Sequence, residues 1–376
     1  MRLRMFLTVL VLSMVVFLAG GCWDVEEIDR RAVIVALGLD TAPGGGVMAT
    51  AELPLLQRIL PPSTGGGGND NMSFTLTGKG DLVHEAVPLL QSKLEMALFC
   101  GQIKAVVIGA SLARQGLRPY LDALARLPEI PKQAILALTR GRAAEIVGAD
   151  LAFKDLPAFA LVGFFRTRAV GDWSLPVRLW QFLHAIDTRG DEPEEGFLPL
   201  IGYDRREKVY ILEGLGVFRG DRLVGELTGR ETQAFGLLTA RADNAVLRVP
   251  MGRDGQMIVC FIKARTSVRI APGNRPRFLT TVHAHGFMSE MSVPRSPLPP
   301  ARLRGITQAA ARTLGKDLRH VVRRLQQLNA DILGYGELLR AKRPDLWRRI
   351  DWQKEFPRTK IRVRVDFEIG RTGRHR

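Results

Sequence analysis

The chain has 376 residues, is 46% apolar and 24% charged, and carries a formal net charge of +16. This length supports two or three domains with buried cores, and the composition argues against long disorder, a coiled coil or a polytopic membrane protein. Three cysteines are too few for a disulfide-stapled scaffold or for a multi-cysteine zinc or iron–sulfur site.

Residues 1–21 have the pattern of a lipoprotein signal peptide. Arg2 and Arg4 precede an apolar run from Met5 to Leu18, which is shorter than the roughly 20 residues of a permanent membrane span. Small residues at 19–21 lie directly before Cys22, as lipoprotein processing requires. We therefore expect lipidation of Cys22 with acyl chains such as palmitate, which would hold the protein on the outer face of the cytoplasmic membrane. Ordinary secretory cleavage, with Cys22 as a plain thiol, is the alternative.

The positive charge is concentrated at the C-terminal end. Residues 301–376 carry 20 Lys and Arg against 8 Asp and Glu. Nucleic acid is a poor match for an exported protein, so anionic lipid headgroups or an acidic membrane partner are the expected partners of this region. A solvated basic face is the alternative. Cys100 and Cys260 have apolar neighbours, which predicts buried free thiols, and a disulfide between them stays open.

Strand and helix patterns alternate in residues 22–190, which predicts an N-terminal α+β unit. Strands are expected at 32–39, 47–53, 73–77, 103–108 and 134–138. Helices are expected after Asp81, with Leu82, Ala86, Leu89, Leu90 and Leu94 on one face, from Ser111 to about Leu127, and at 142–147. The glycine run at 65–68 lacks the lysine of a phosphate-binding loop and predicts a flexible loop.

A polar segment rich in proline and glycine predicts a linker at 191–198, followed by a C-terminal α+β unit at 199–376. Here we expect a hairpin at 209–227, a helix at 228–238, and strands at 246–249, 257–262, 267–270 and 278–286. A long helix begins near Ala301 with an apolar stripe from Ile306 to Ile332. Arg312, Lys316, Arg319 and Arg323 form a separate basic stripe, a candidate surface for a partner or a membrane.

Strict alternation at 360–369 predicts a last strand that buries one side. The sequence as a whole predicts an α+β fold with mixed or antiparallel sheets and flanking helices. It has two halves, or three domains if the first half divides further. A long helix and an edge-type strand complete the C-terminal end.

No constellation in the sequence supports catalysis. The motifs G-x-S-x-G, S-x-x-K and H-E-x-x-H are all absent. His283 and His285 point to the same face of one predicted strand, but no spacing marks a third metal ligand. We therefore predict a protein that is not an enzyme and has no metal or cofactor.

Several segments resemble one family in order along nearly the whole chain. They are Cys22–Ile28 (CWDVEEI), Gly38-Leu39-Asp40, Phe74–Gly80 (FTLTGKG), Gly101–Gly109 (GQIKAVVIG), Gly214–Gly225 (GLGVFRGDRLVG) and Asn329–Gly336 (NADILGYG), followed by Trp347 and Trp352. This order is similar to that of the Ger(x)C family, the C-subunit lipoproteins of bacterial spore germinant receptors. The sequence departs from the family at Leu333 and Tyr335, where phenylalanines are usual.

The resemblance implies a non-enzymatic, lipid-anchored subunit of a nutrient germinant receptor on the outer face of the spore inner membrane. An A-type and a B-type integral membrane subunit are its implied partners. The motif residues it singles out are Trp23, Asp24, Glu27, Gly38, Asp40, Gly216, Gly225, Asp331, Gly334, Trp347 and Trp352. A membrane-anchored solute-binding lipoprotein of a transporter is the alternative function. The germinant and the stoichiometry stay open.

Physical chemistry gives some of these motif residues expected roles. Trp23 suits the membrane interface. Gly216, Gly225 and Gly334 suit turns and helix ends. We expect Asp331 to be a structural hydrogen-bonding residue near a helix end, and Trp347 and Trp352 to lie in the core.

Overall fold

The computed structural model describes residues 31–55, 72–153, 156–166, 175–187, 196–241, 245–250, 256–291 and 300–370, with the backbone alone at 256–262, 288–291, 300 and 302. Its strands are β1 (Arg31–Val33), β2 (Ala36–Thr41), β3 (Val47–Pro54), β4 (Ser73–Gly80), β5 (Ala97–Phe99), β6 (Ala105–Gly109), β7 (Ile135–Thr139), β8 (Val177–Arg178), β9 (Phe197–Asp204), β10 (Val209–Arg219), β11 (Arg222–Thr228), β12 (Val246–Pro250), β13 (Gln256–Ile270), β14 (Arg277–Met291) and β15 (Lys360–Ile369). Its helices are α1 (Val83–Ala86), α2 (Pro88–Gln91), α3 (Ala110–Gln115), α4 (Arg118–Arg126), α5 (Ala143–Val147), α6 (Pro157–Arg166), α7 (Leu179–Asp187), α8 (Gly229–Leu238), α9 (Pro300–Leu328), α10 (Tyr335–Lys342), α11 (Pro344–Trp347) and α12 (Trp352–Glu355), which a 3-10 turn (Phe356–Arg358) follows.

A nine-stranded mixed sheet organises the chain from β2 to β11. Its strands are hydrogen-bonded in the order β11–β10–β9–β7–β6–β2–β3–β4, and β8 pairs with β7. The central strands β2, β6 and β7 are parallel. Every residue of β6 is buried, as expected for a parallel strand with helices on both faces. The short strands β1 and β5 form a separate parallel pair.

Helices cover both faces of the nine-stranded sheet. On one face, α1 to α4 and α7 pack in a common core with Leu37, Leu39 and Val106. On the other face, α5 and α6 pack in a smaller core with Ala36 and Ala105. Successive strand residues point to opposite faces of the sheet. The strands of this half are apolar at nearly every position because both faces are covered by helices.

The hairpin that follows the predicted linker joins the sheet of the first half. Strand β9 pairs in parallel with β7 through Leu138 and Leu200, and β10 and β11 extend the sheet to its edge. The hydrogen-bonding pattern therefore places residues 197–228 with the first half, whereas the predicted limits place the second half at 199–376. Residues 188–195 lie outside the described residues.

The second sheet has the order β12–β13–β14–β15, with β15 parallel to β14 at an edge. Helix α9 packs on one face of this sheet. It buries Ile306, Ala310, Leu314, Leu318, Val321 and Leu325. The edge strand and the α+β class with mixed sheets are confirmed, and so is the apolar stripe as far as Leu328, where α9 ends. Ile332, the last residue of the predicted stripe, lies beyond the helix. One hydrophobic core runs from Ala32 to Phe367, so both halves share it.

Two predicted helices are interrupted, and both breaks have a local cause. The helix expected from Ser111 divides into α3 and α4, because Gly116 has a φ of 118° and proline occupies the first turn of α4. The helix expected after Asp81 divides into α1 and α2 at Pro88. The predicted common face of this helix is wrong, since Ala86 and Leu90 are buried whereas Leu82 and Leu89 are 57% and 45% exposed.

Candidate functional site

The predicted lipidation segment lies outside the described residues. It includes Cys22, Trp23, Asp24 and Glu27, so the lipid anchor stays a prediction. No described helix combines the length and the apolar composition that crossing a membrane requires. Cys100 is a buried free thiol, and burial raises its pKa to about 11. The side chain of Cys260 is not among those described.

The Gly38-Leu39-Asp40 segment caps a helix that lies far away in the sequence. The buried Asp40 carboxylate accepts the backbone N–H groups of Ala143 (2.7 Å) and Ala144 (3.0 Å), which begin α5. Burial raises the pKa of Asp40, although these two donors and Arg142 act against the shift. Gly38 lies under the same helix, facing Ala143. The segment therefore fixes α5 on the sheet.

Asp331 accepts three hydrogen bonds, more than the two that Asp40 accepts among the described motif residues. Its buried carboxylate accepts the N–H of Tyr335 (3.1 Å) and the N–H of Gly336 (2.6 Å) at the start of α10. It also accepts the indole N–H of Trp352 at 3.0 Å. Burial raises the pKa of Asp331 to about 7, because desolvation outweighs the donors. Gly334 precedes α10 with a φ of 74°, a left-handed conformation that favours glycine.

An aromatic cluster surrounds this cap. The Trp352 ring lies 6.1 Å from Phe278 and 5.6 Å from Phe356, measured between ring centroids. The hydroxyl groups of Tyr335 and Thr280 form a buried hydrogen bond of 2.8 Å. Trp352 is buried, and Trp347 packs at the edge of the cluster, with its ring centroid 6.1 Å from that of Trp352. Trp347 and Trp352 therefore contribute to packing.

The prediction that Gly216 and Gly225 serve turns is wrong. Both lie opposite partners inside the β10–β11 ladder. A Cβ atom at Gly225 would lie 2.6 Å from Leu328 at the end of α9, and one at Gly216 would lie 2.4 Å from Leu138. The two glycines permit close packing of the hairpin, and Gly225 brings α9 of the second half against it.

Asp221, in the turn of the same hairpin, is a structural residue that sequence reasoning missed. Its carboxylate accepts the N–H of Arg118 at 3.0 Å, and its backbone carbonyl accepts the N–H of Leu117 at 2.9 Å. The hairpin turn therefore caps the start of α4. An aspartate after glycine in a turn is a common sequence feature, so the pattern alone does not indicate this distant partner.

The basic stripe is exposed along one face of α9. Arg312, Lys316, Arg319 and Arg323 are all exposed, and none forms an ion pair within the described residues. Lys316 also borders a cleft of about 680 Å³ between α8, β12 and α9. Arg230, Arg248 and Asp317 line the same cleft. This surface is suited to an acidic segment of a partner.

A second groove lies between α7 and residues 331–334. Its volume is about 480 Å³. Trp180 forms part of its wall and is 44% exposed. The guanidinium of Arg241 lies 5.4 Å from the centroid of the Phe197 ring in the same wall. Glu337 lines the same groove, so its wall combines aromatic rings with both basic and acidic side chains.

Glu52 is a buried carboxylate that sequence reasoning did not single out. It is fully buried on β3 and accepts the N–H of Ala158 at 2.9 Å, in the first turn of α6. Desolvation raises its pKa to about 7, although the N–H of Ala158 and the hydroxyl of Ser73 act against the shift. Within the part of the chain that the structure describes, no group of three His, Cys, Asp or Glu is placed to hold a metal ion.

Two family models together match nearly the whole chain. The model described as "Spore germination protein N-terminal domain" matches residues 24–203, and "Spore germination B3/ GerAC like, C-terminal" matches residues 213–373. The border between them falls at the β9–β10 hairpin.

Three proteins of Bacillus subtilis (strain 168) are similar over most of their length. YfkR is 28% identical, over 86% of this chain and 85% of that protein. Spore germination protein KC is 23% identical, over 98% and 96%, and spore germination protein B3 is 23% identical, over 93% and 93%. The crystal structure of the GerBC protein shares the fold, with a TM-score of 0.57 and 18% identity over 89% of this chain and 96% of that chain.

Proposed function

The chain belongs to the GerAC-like, or Ger(x)C, family of spore germination proteins, and we propose that it is a non-enzymatic, lipid-anchored subunit of a nutrient germinant receptor. The observation that carries this proposal is the match of both family models, in order, across residues 24–373. Relatives named as spore germination proteins align with the chain over more than nine-tenths of their length. The proposed partners are an A-type and a B-type integral membrane subunit.

The two described motif carboxylates, Asp40 and Asp331, support a structural role over a catalytic one. Asp40 and Asp331 are buried, and both carboxylates accept hydrogen bonds from backbone N–H groups at the start of a helix. A catalytic acid or base needs access to a substrate proton. These two aspartates therefore stabilise the fold, and we assign recognition of the partner subunits to exposed side chains.

Replacing Cys22 by alanine is expected to release the protein from the membrane. The proposed acyl chains contribute about 0.8 kcal/mol for each buried methylene, and two or more chains make anchoring stable. Fractionation of spore membranes, with palmitate labelling, measures the effect. Cys100→Ala is the matched control, because this buried thiol should neither take the label nor affect anchoring. Absence of the palmitate label from the parent chain would contradict lipidation. Full retention of Cys22→Ala in the membrane fraction would mean that the basic C-terminal region or a partner subunit holds the protein there.

Reversing the charge of the α9 stripe is expected to weaken assembly of the receptor. The variant carries Glu at Arg312, Lys316, Arg319 and Arg323, which are exposed and make no ion pair in the described structure. Like charges placed against an acidic partner disfavour association, so recovery of the two partner subunits should fall by about tenfold or more. Thermal unfolding should change little, because these side chains are exposed.

The matched control for the stripe reverses four exposed arginines of the first half, Arg114, Arg206, Arg219 and Arg222. It has the same net charge as the stripe variant, so it separates a local surface from overall charge. Equal recovery of partners by both variants would remove the stripe as a docking surface and leave it a solvated face.

The proposed function is tested by purifying the tagged chain from detergent-solubilised membranes of dormant spores and identifying the recovered proteins by mass spectrometry. Recovery of an A-type and a B-type subunit together is the expected result. If the chain is abundant and intact but neither subunit is recovered, it is not a subunit of such a complex.

A further inference from the structure

The second sheet has one face that α9 leaves uncovered. Residues of β13 to β15 alternate between the two faces, and those that point toward α9, such as Ala264, Val282 and Phe367, are buried. Their neighbours in sequence point outward and most are exposed. The outward side chains belong to three adjacent strands held in a defined register, so they form one continuous surface.

This outer face is strongly basic. Its cations are Lys263, Arg265, Arg269, Arg277, Lys360, Arg362 and Arg364, and its acids are Asp366 and Glu368. The cations are therefore in clear excess over the acids. The face is distinct from the α9 stripe, which lies on the helix at the opposite side of the same sheet.

The acids of the outer face are confined to one region, where Lys263 and Arg265 lie in the same register rows. Asp366 lies beside Arg364 and His283, at 3.0 Å and 3.5 Å, and Glu368 is in register with His285. These acids lie toward the C-terminal end of β15, beside the middle of β14.

The other end of the outer face has no acid. Arg269, Leu279 and Arg362 stand side by side across the three strands, and Arg277 is in register with Lys360. Arg269, Lys360 and Arg362 form no ion pair within the described residues. Leu279, at the centre of this end, is 37% exposed.

We propose that this basic end of the outer face binds the anionic headgroups of the membrane on which the protein is anchored. Clustered Lys and Arg are attracted to anionic lipid phosphates, and guanidinium groups bind phosphate in a bidentate manner. A single exposed leucine surrounded by cations matches the boundary between headgroups and acyl chains. The inference rests on the proposed membrane anchor, which would place a lipid surface beside the protein.

Binding to protein-free vesicles tests this inference. The mature chain with Cys22→Ala lacks the leader and the lipid, and it retains residues 31–370, which contain every described strand and helix and the shared core. It is mixed with vesicles of equimolar phosphatidylglycerol and phosphatidylcholine, and with vesicles of phosphatidylcholine alone. We expect binding to the anionic vesicles only, and weaker binding as salt shortens the Debye length.

The test variant is Arg269→Glu, Lys360→Glu, Arg362→Glu. Its affinity for anionic vesicles should fall by about tenfold or more. The matched control, Arg206→Glu, Arg219→Glu, Arg222→Glu, has the same net charge and should stay within about twofold of the parent chain. Circular dichroism and thermal unfolding confirm that each variant is folded before its binding is compared.

Three outcomes would overturn the inference. An equal loss in the control would show that net charge alone governs binding. A loss in the α9 stripe variant, with none in the outer-face variant, would assign lipid binding to the helix. Normal vesicle binding by the outer-face variant, combined with loss of its partner subunits in the purification, would assign the face to an acidic protein. Because the vesicles contain no protein, failure here leaves the receptor proposal to its own purification test.

Discussion

Replacement of Asp331 by alanine is expected to lower the free energy of unfolding by about 3–5 kcal/mol. The carboxylate accepts three N–H groups, from Tyr335, Gly336 and the indole of Trp352. Alanine would leave these donors buried without an acceptor, and each unsatisfied donor costs about 1–3 kcal/mol. The substitution would also release Trp352 from the start of α10, so it should loosen the aromatic cluster.

Urea unfolding of the mature chain, followed by tryptophan fluorescence, measures this loss. Asp331→Asn keeps the volume but offers only one acceptor oxygen, so a smaller loss is expected. Asp345→Ala is the control, because this exposed aspartate pairs with the neighbouring Arg343 and should matter little. A loss for Asp331→Ala no larger than that of the control would mean that the cap does not stabilise the fold.

The three described aspartates of the motif segments have one kind of structural role, since each caps a helix. Asp40 caps α5, Asp221 caps α4 and Asp331 caps α10. Asp40 and Asp221 each reach a helix more than one hundred residues away. The family resemblance in these segments therefore reflects tertiary connections, and this explains why the motifs carry no catalytic pattern.

Elements with a local period could be predicted from the sequence. The stripe on α9 and the alternation in β15 are both properties of one continuous segment, so the side that becomes buried is visible in the sequence. A hydrogen-bonding role near a helix end could be predicted for Asp331, because its backbone partners lie in the same segment. The caps made by Asp40 and Asp221 could not be predicted, because their N–H donors come close only in the folded protein. A pattern along the chain contains no information about which distant segments come close together in the fold.

The environment of Glu52 shows a second reason why burial could not be predicted from the sequence. Alternation in β3 places Thr50 and Glu52 on one face and Ala49 and Ala51 on the other, which resembles a strand with one solvated side. The polar side is nevertheless buried, because α5 packs against β3 and the first turn of α6 supplies the N–H of Ala158 to Glu52. Since α6 was not predicted, the partner of Glu52 could not be predicted either.

The stability of the protein is expected to fall with rising pH because of Glu52, and Glu52→Gln should remove this dependence. Burial raises the pKa of Glu52 from 4.5 to about 7 in the folded protein. The folded state therefore binds this proton more tightly than the unfolded chain does. The resulting stability is complete below about pH 4.5 and is lost as the pH rises through about 7, a change of about 3 kcal/mol.

Glutamine retains an acceptor for the N–H of Ala158 and has no proton to lose. The difference in unfolding free energy, variant minus wild type, should therefore rise by up to about 3 kcal/mol between about pH 5 and about pH 8. Asp331 also has a pKa raised to about 7, but it is present in both proteins and cancels in the difference. Urea unfolding across this range measures the effect. Parallel stability curves for the two proteins would show that Glu52 stays ionised when buried, because the N–H of Ala158 then compensates for its desolvation.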